Sequence, residues 1–419
     1  MLHRAGKRLR WVAAVPPVLL AVATSVIAPA TTASATAGNA LFGLFPGENN
    51  VATGLGAPSW TQMDDYLPGM VPWQGRKNDV INIYNQIHGT GGVDTVVNSY
   101  LPHIWDDLGS VPMISLNTNN YTNAQVISGS GDADIDYYAN SVSHWLKVAD
   151  SRGVTAPTGG RRIYIRLDWE MNAAFSPWEP AKNSTTCANL LTNEADYVSM
   201  WRHFHDRFMT TGGFDSTQVQ WVYSIYQTDV FPTAYAATLS TCTNGASDVV
   251  ARTYPGDSYV DWVGVDGYAY NNGTPFTSPT DTFSQGFTRL RAITSKPMSV
   301  DEVGVNTHSN GFTDQTPAAK AAWLSDYFTY IESQNVLMTL YFNIDLGAQN
   351  GFHNLAVFDK ANNSVADPFG NGDTQLTGAD GKLYNAYSAY KTGISNSYFT
   401  SPDPANLRML TDAQFAGTA

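Results

Sequence analysis

Two acidic residues stand where acids are uncommon. Glu170 closes the apolar run in RLDWEMN, and Glu302 closes the one in KPMSVDEVGV. Charged side chains avoid strands and cores, so a carboxylate at the end of an apolar strand needs a partner or a task. A salt bridge would explain either one alone. Both together, at strand ends that meet over one cavity, suit cleavage of a glycosidic bond. One carboxylic acid gives a proton to the leaving oxygen, while the other carboxylate attacks or stabilises the cationic sugar. A separation of about 5–5.5 Å gives retention, and a wider one inversion. Glu170 is expected to be protonated at rest, raised by burial near Trp169 and by the field of Glu302. Glu302 is expected to be ionised, held by Tyr268 or Arg166. Once Glu302 loses its charge to a glycosyl group, Glu170 falls in pKa and can act as base toward water.

The surroundings supply further candidates. Asp168 lies two residues before Glu170 and is expected on the same face, as a buried partner of Arg166 rather than a sugar contact. Asp266 shares a face with Tyr268 and is either a sugar contact or structural. Asp257 and Asp261 read as turn or capping residues. Trp169, Phe175, Trp178, Tyr226, Tyr254, Tyr268, Tyr270 and Tyr341 fall near strand ends and their loops. Flat rings match the C–H faces of sugars, although core packing accounts for about half of such residues. The eight histidines show no metal spacing. No phosphate loop, dinucleotide fingerprint, zinc-protease helix or serine elbow is present. Neither a metal nor a cofactor is expected.

Eight strand-length segments position these residues: Ala40–Phe45, Val80–Ile87, Val111–Asn117, Arg162–Glu170, Gln218–Tyr226, Val260–Tyr268, Pro297–Val305 and Met338–Asp345. Between them, Asp94–Leu108, Asp134–Ala149, Glu194–Met209, Phe283–Ile293, Ala318–Ile331 and Leu383–Ile394 show helical spacing. Repeated strand–helix alternation predicts an α/β fold with parallel strands, and the count predicts a (β/α)₈ TIM barrel. The surplus length falls in loops after strands, at 173–193 and 227–259, on the face where such barrels keep their active sites. Cys187 and Cys242, the only cysteines, lie in these two loops and are expected to form a disulfide across the mouth of the cleft.

The 419 residues are 43% hydrophobic and 14% charged, with a net charge of −13, which argues against disorder and against nucleic acid as a partner. Residues 1–37 read as an export signal: Arg4, Lys7, Arg8 and Arg10 precede an apolar stretch, and Ala35-Thr36-Ala37 offers a cleavage site. Residues 38–419 are then one catalytic domain, secreted, free of the membrane once the signal is removed, with a monomer as the default state.

RLDWEMNAAFSPWEP, YPGDSYVDWVGVDGYAY and KPMSVDEVGV resemble the fourth-, sixth- and seventh-strand motifs of glycoside hydrolase family 26, the β-mannanase family. The resemblance runs in order across most of the chain. It implies a retaining, endo-acting barrel enzyme with Glu170 as acid/base and Glu302 as nucleophile. Tyr268 would hydrogen-bond the nucleophile, and Arg166 and Asn172 would support the acid/base. Four departures stand out. Trp169 replaces the family's histidine, Ala173 replaces a glycine, and Asp301 stands where an apolar or small residue is usual. The family's last-strand tryptophan has no match in LYFNID, where Tyr341 or Phe342 takes its place. The implied substrate is a β-linked plant polysaccharide, β-1,4-mannan first and mixed-linkage glucan or xylan next. The alternatives are a related retaining barrel of other specificity and a non-catalytic carbohydrate-binding barrel.

Overall fold

The computed structural model describes residues 39–47, 69–148, 160–242, 248–270, 276–309, 315–344, 352–353, 355–360, 372–378, 380–400 and 410–419. The export signal read over residues 1–37 lies outside them. Eight parallel strands close into a barrel: β1 (Leu41–Pro46), β2 (Val80–Gln86), β3 (Val111–Asn117), β4 (Ile163–Leu167), β5 (Val219–Tyr226), β6 (Trp262–Ala269), β7 (Met298–Val305) and β8 (Met338–Asn343). The ring closes where Leu41–Pro46 pairs residue for residue with Met338–Asn343. This is the (β/α)₈ architecture that the alternation predicts.

Around it lie α1 (Thr90–Thr95), α2 (Asp132–Lys147), α3 (Cys187–Gly212), α4 (Pro279–Arg291), α5 (Pro317–Ser333) and α6 (Ser388–Ile394). Side-chain oxygens of Thr186, Ser278 and Thr316 cap α3, α4 and α5 by accepting backbone N–H groups. Each such cap stabilises its helix by about 1 kcal/mol.

Three elements depart from the sequence pattern. β4 stops at Leu167 because Asp168 and Glu170 take left-handed backbone, at φ 41° and 56°. After α1 the chain widens into two π-type turns, Val96–Tyr100 and His103–Asp107, separated around Pro102, which has no N–H to donate. Leu383–Ala386 is a strand, pairing antiparallel with Phe358–Lys360 and Thr374–Thr377, and helix begins only at Ser388. Its burial alternates, with Tyr384 and Ala386 inside, a period of two.

Side chains fill the barrel in layers. The short C-terminal helix Asp412–Phe415 forms the floor. There the Phe415 ring lies 4.6 Å from that of Tyr164, and its carbonyl accepts from Tyr164 Oη at 3.0 Å and Trp262 Nε1 at 3.1 Å. Toward the other end the interior turns polar, with Asn82, Ser115, Arg166, Ser224 and Asp266 all buried. Barrel layers are usually filled by branched apolar residues.

Candidate active site

The polar layer is organised by Arg166, which is fully buried. Its Nε donates to Ser115 Oγ at 2.8 Å, and its Nη1 donates to both oxygens of Asp266 at 2.9 and 3.0 Å. Its Nη2 donates to Glu302 Oε1 and, at 3.3 Å, to Tyr84 Oη. Burial alone would lower the guanidinium pKa, but the Asp266 and Glu302 carboxylates more than reverse that and hold it charged.

Glu302 reaches this layer through a backbone irregularity. Neighbouring residues on a strand point to opposite faces. Regular alternation from inward Ser299 would turn Asp301 inward and Glu302 out toward the helices. Instead the pairing with β6 steps from Val265↔Val300 to Asp266↔Glu302, leaving Asp301 as the extra residue of a β-bulge. Both acids then face the interior. Tyr84 Oη donates to Glu302 Oε1 at 2.5 Å, and Tyr268 Oη donates to Oε2. Three donors from β2, β4 and β6 therefore fix the carboxylate.

Glu170 arrives from the opposite side. Its N–H donates to Ser224 O at 3.0 Å, which holds the left-handed turn in place. Asp168, two residues earlier, anchors the same turn by accepting from Thr118 N at 2.8 Å and Thr118 Oγ1 at 2.6 Å. Non-glycine residues in this conformation are strained, and such strain gathers at functional sites. Burial raises the pKa of Glu170 well above the usual carboxylate range; the Glu302 charge adds to this and Arg166 opposes it. One oxygen each of Glu170, Asp266 and Glu302 lie within 4.8 Å of one another. That spacing would suit a cation among the described residues, but Arg166 already places a positive charge against two of the three.

No family model matches the chain. Endoglucanase H of Acetivibrio thermocellus is 25% identical over 295 residues, which are 69% of this chain and 27% of that protein, so the chain spans about a quarter of this relative's length. Among solved structures, the catalytic domain of the GH26 endo-β-1,4-mannanase of Bacillus sp. JAMB-750 superposes with a TM-score of 0.53 at 16% identity, covering 86% of this chain and 87% of that one. Bacillus subtilis mannanase BCman gives 0.46 at 20% identity, covering 74% and 81%. The chain resembles glycoside hydrolase family 26. At this identity the JAMB-750 structure establishes a shared barrel fold.

Set beside the motifs that carry the family 26 resemblance, the structure brings Arg166, Trp169, Glu170, Tyr268 and Glu302 together. The Trp169 ring lies 5.2 Å from Tyr84 and 4.7 Å from Trp178, with the Arg166 guanidinium 5.3 Å from its centroid. Trp178 supports it from behind, donating Nε1 to Trp169 O at 2.7 Å, and walls a separate depression of about 450 Å³. Asn172 has no free amide to offer a sugar. Its Nδ2 donates to Tyr226 O and Asp229 Oδ1, both at 3.0 Å, and its Oδ1 accepts from Tyr226 N at 2.7 Å.

Three expectations are corrected. Asp168 partners Thr118 rather than Arg166, because its left-handed backbone swings the carboxylate toward the end of β3. Asp266 is fully buried beneath the acids and serves as counter-ion to Arg166, not as a sugar contact. Tyr341 faces the helices: it pairs with outward Val303, donates to Leu355 O at 2.8 Å and packs 5.5 Å from Tyr390 of α6. Phe342 takes the inward place, stacked on Phe45 at 4.8 Å and edge-on to Tyr268 at 5.8 Å.

Tyr84 escaped the motif reading. Its signal was available in VINIYNQ, where Asn82 and Tyr84 put polar groups at alternate positions of an apolar strand. The Cys187–Cys242 disulfide is formed and joins the start of α3 to the loop after β5.

Proposed function

We propose that the protein is a secreted, retaining endo-glycosidase that hydrolyses a β-linked polysaccharide by double displacement. The observation that carries this reading is the pair of buried glutamates whose oxygens approach within 4.8 Å, well short of the ~6.5–9.5 Å gap of inverting enzymes. Glu170, held protonated by burial and by the charge opposite, gives its proton to the glycosidic oxygen as the bond breaks. Glu302, fixed by Tyr84, Arg166 and Tyr268, attacks the anomeric carbon from the other face. The glycosyl-enzyme carries no charge on Glu302, so the repulsion that kept Glu170 protonated fades. Glu170 then takes a proton from water, which releases the sugar. Trp169 and the exposed ring of Phe175, edge-on to Tyr226 at 5.3 Å, offer apolar faces to the pyranose rings.

β-1,4-Mannan is the first substrate, on the motif resemblance. A β-glucan is the second, favoured by Trp169 in the place of the family's histidine and by the name of Endoglucanase H. Residues 1–37 act as the export signal in this reading. The disulfide suits an oxidising compartment, and among the described residues no helix is long and apolar enough to cross a membrane. The test is reducing-sugar release from mannan, mixed-linkage glucan and xylan, with Glu302→Ala as control and NMR of the first-formed anomer. Release of the β-anomer, lost in Glu302→Ala, is expected. Binding without release in the wild type would leave a lectin-like barrel, and an inverted product would move Glu302 from nucleophile to base.

A further inference from the structure

Asp301 has no part in the mechanism above, yet it occupies the centre of the barrel. It is the extra residue of the β7 bulge and is 1% exposed. Its space is made by Gly264 of β6, where a Cβ would come within 1.8 Å of Asp301 Oδ2. Among the described residues no donor meets either oxygen in hydrogen-bonding geometry. The hydroxyls of Ser299 and Ser224 lie close enough to favour the anion, but each has a competing acceptor, Val263 O at 3.3 Å and Asp266 Oδ1 at 3.1 Å. The charged groups facing it are Arg166 from β4, Asp266 from β6 and Glu302 beside it on β7; the phenol of Tyr327 in α5 also senses its charge. β1 and β8 contribute Gly43 and Leu340 at this level, neither of them charged.

A buried carboxylate with no well-aligned donor is costly and persists only where its charge is wanted or its proton is kept. Burial pushes Asp301 up to about 6, with Arg166 opposing. Its nearest cation is the same guanidinium that holds the nucleophile. We propose that Asp301 is a positioning residue for Glu302: a second, titratable counter-ion of Arg166 whose ionisation loosens the guanidinium's hold on the nucleophile and so strengthens its attack. With Asp301 neutral, Arg166 serves Asp266 and Glu302 alone. With Asp301 charged, three carboxylates share one cation, and the electron pair on Glu302 is less tightly held. The same charge compensates Arg166 once Glu302 is esterified.

The inference rests on Glu302 being the nucleophile, and the experiment separates the two. The pH profile of kcat/KM on the best polysaccharide is measured for wild type, Asp301→Asn and Glu302→Ala. The wild type is expected to gain rate through an ionisation near that of Asp301. Asp301→Asn is expected to lack that step and to run about three- to tenfold lower on the upper plateau, with its low-pH rate little changed. A role limited to packing would lower the rate evenly at every pH and keep the step, and either that result or an unchanged profile overturns the proposal. Retained activity in Glu302→Ala would instead overturn the assignment of the nucleophile. If Asp301→Asn does not fold, ¹³C-carboxyl NMR of the wild type reads the same charge. An aspartate that titrates between pH 5 and 7 and shifts in Glu302→Gln supports the coupling, and its absence refutes it.

Discussion

At the scale of single residues, the site is a set of donors and charges that give two chemically identical carboxyls different surroundings. Glu170 is buried and faces another acid, and in the proposed mechanism its protonated form is the working one. Activity should therefore fall as pH rises through its raised pKa. Glu170→Ala should lose about 10²- to 10⁴-fold in kcat/KM on polysaccharide. Far less should be lost on an aryl glycoside whose phenolate leaves without a proton, and equal losses on the two substrates would deny Glu170 the role of acid. Tyr84 offers a second test. Its hydroxyl donates to Glu302 while accepting from Arg166. A hydrogen bond to a charged group contributes about 1.5–3 kcal/mol to the fold, so Tyr84→Phe should lower the unfolding midpoint; by letting the carboxylate turn out of line it should also lower kcat/KM about ten- to a hundredfold, orientation outweighing the looser hold on its charge. The acid pair was legible in the sequence because carboxylates seldom end apolar strands. Tyr84 was harder to see, since a tyrosine in a strand is ordinary until its neighbours are known. Asp266 and Tyr341 were misplaced for one reason: nearness to a strand end does not tell which face, or which depth, a side chain occupies.

At the scale of elements, eight strands were readable because each is a short apolar run between turn signals. What the pattern could not show was where regular backbone gives way. MSVDEVGV alternates acceptably in either phase, and only the pairing with β6 reveals the bulge that turns Glu302 inward. RLDWE reads as strand to its end, but the chain leaves the sheet at Asp168, held there by Thr118 across from β3. That junction has a pH signature. Burial pushes Asp168 up to about 7, against about 3.9 for the unfolded chain, while its bonds to Thr118 oppose the shift. The native state thus binds the extra proton between these values. Stability from Asp168 is complete below about pH 4 and is lost as pH rises through 7. Protonated, it can donate to Thr118 Oγ1 in place of accepting from it. Asp168→Asn removes the titration. Its stability relative to wild type should therefore rise by up to about 1.4 kcal/mol per pH unit from pH 4 to 7 and level off beyond, as read from urea unfolding at each pH. Parallel curves for the two proteins would show that Asp168 does not change its proton on unfolding.

At the scale of the molecule, chemistry and closure sit at opposite ends of one barrel. The mouth carries the acids and, beyond them, the Cys187–Cys242 bridge, which spans 55 residues and on chain entropy stabilises the fold by about 4 kcal/mol. The other end is shut by the C-terminal helix, whose Phe415 fills the space between Tyr164 and Trp262 and whose Asp412 pairs with Arg162. A closed barrel needs such a floor, because inward side chains at the start of the strands would otherwise meet water. This sets up a separation that can be measured. Phe415→Ala should cost about 3–5 kcal/mol, the range for a large buried aromatic, and lower the unfolding midpoint accordingly. Assayed well below that midpoint, the variant should keep its kcat/KM, because the strands between floor and mouth are paired along their length and the acids are positioned by local contacts with Thr118, Ser224 and Arg166. A loss of rate in the folded variant, in step with its loss of stability, would mean that the floor and the polar layer form one cooperative unit, and that the precision of the glutamate pair depends on packing through the whole depth of the barrel.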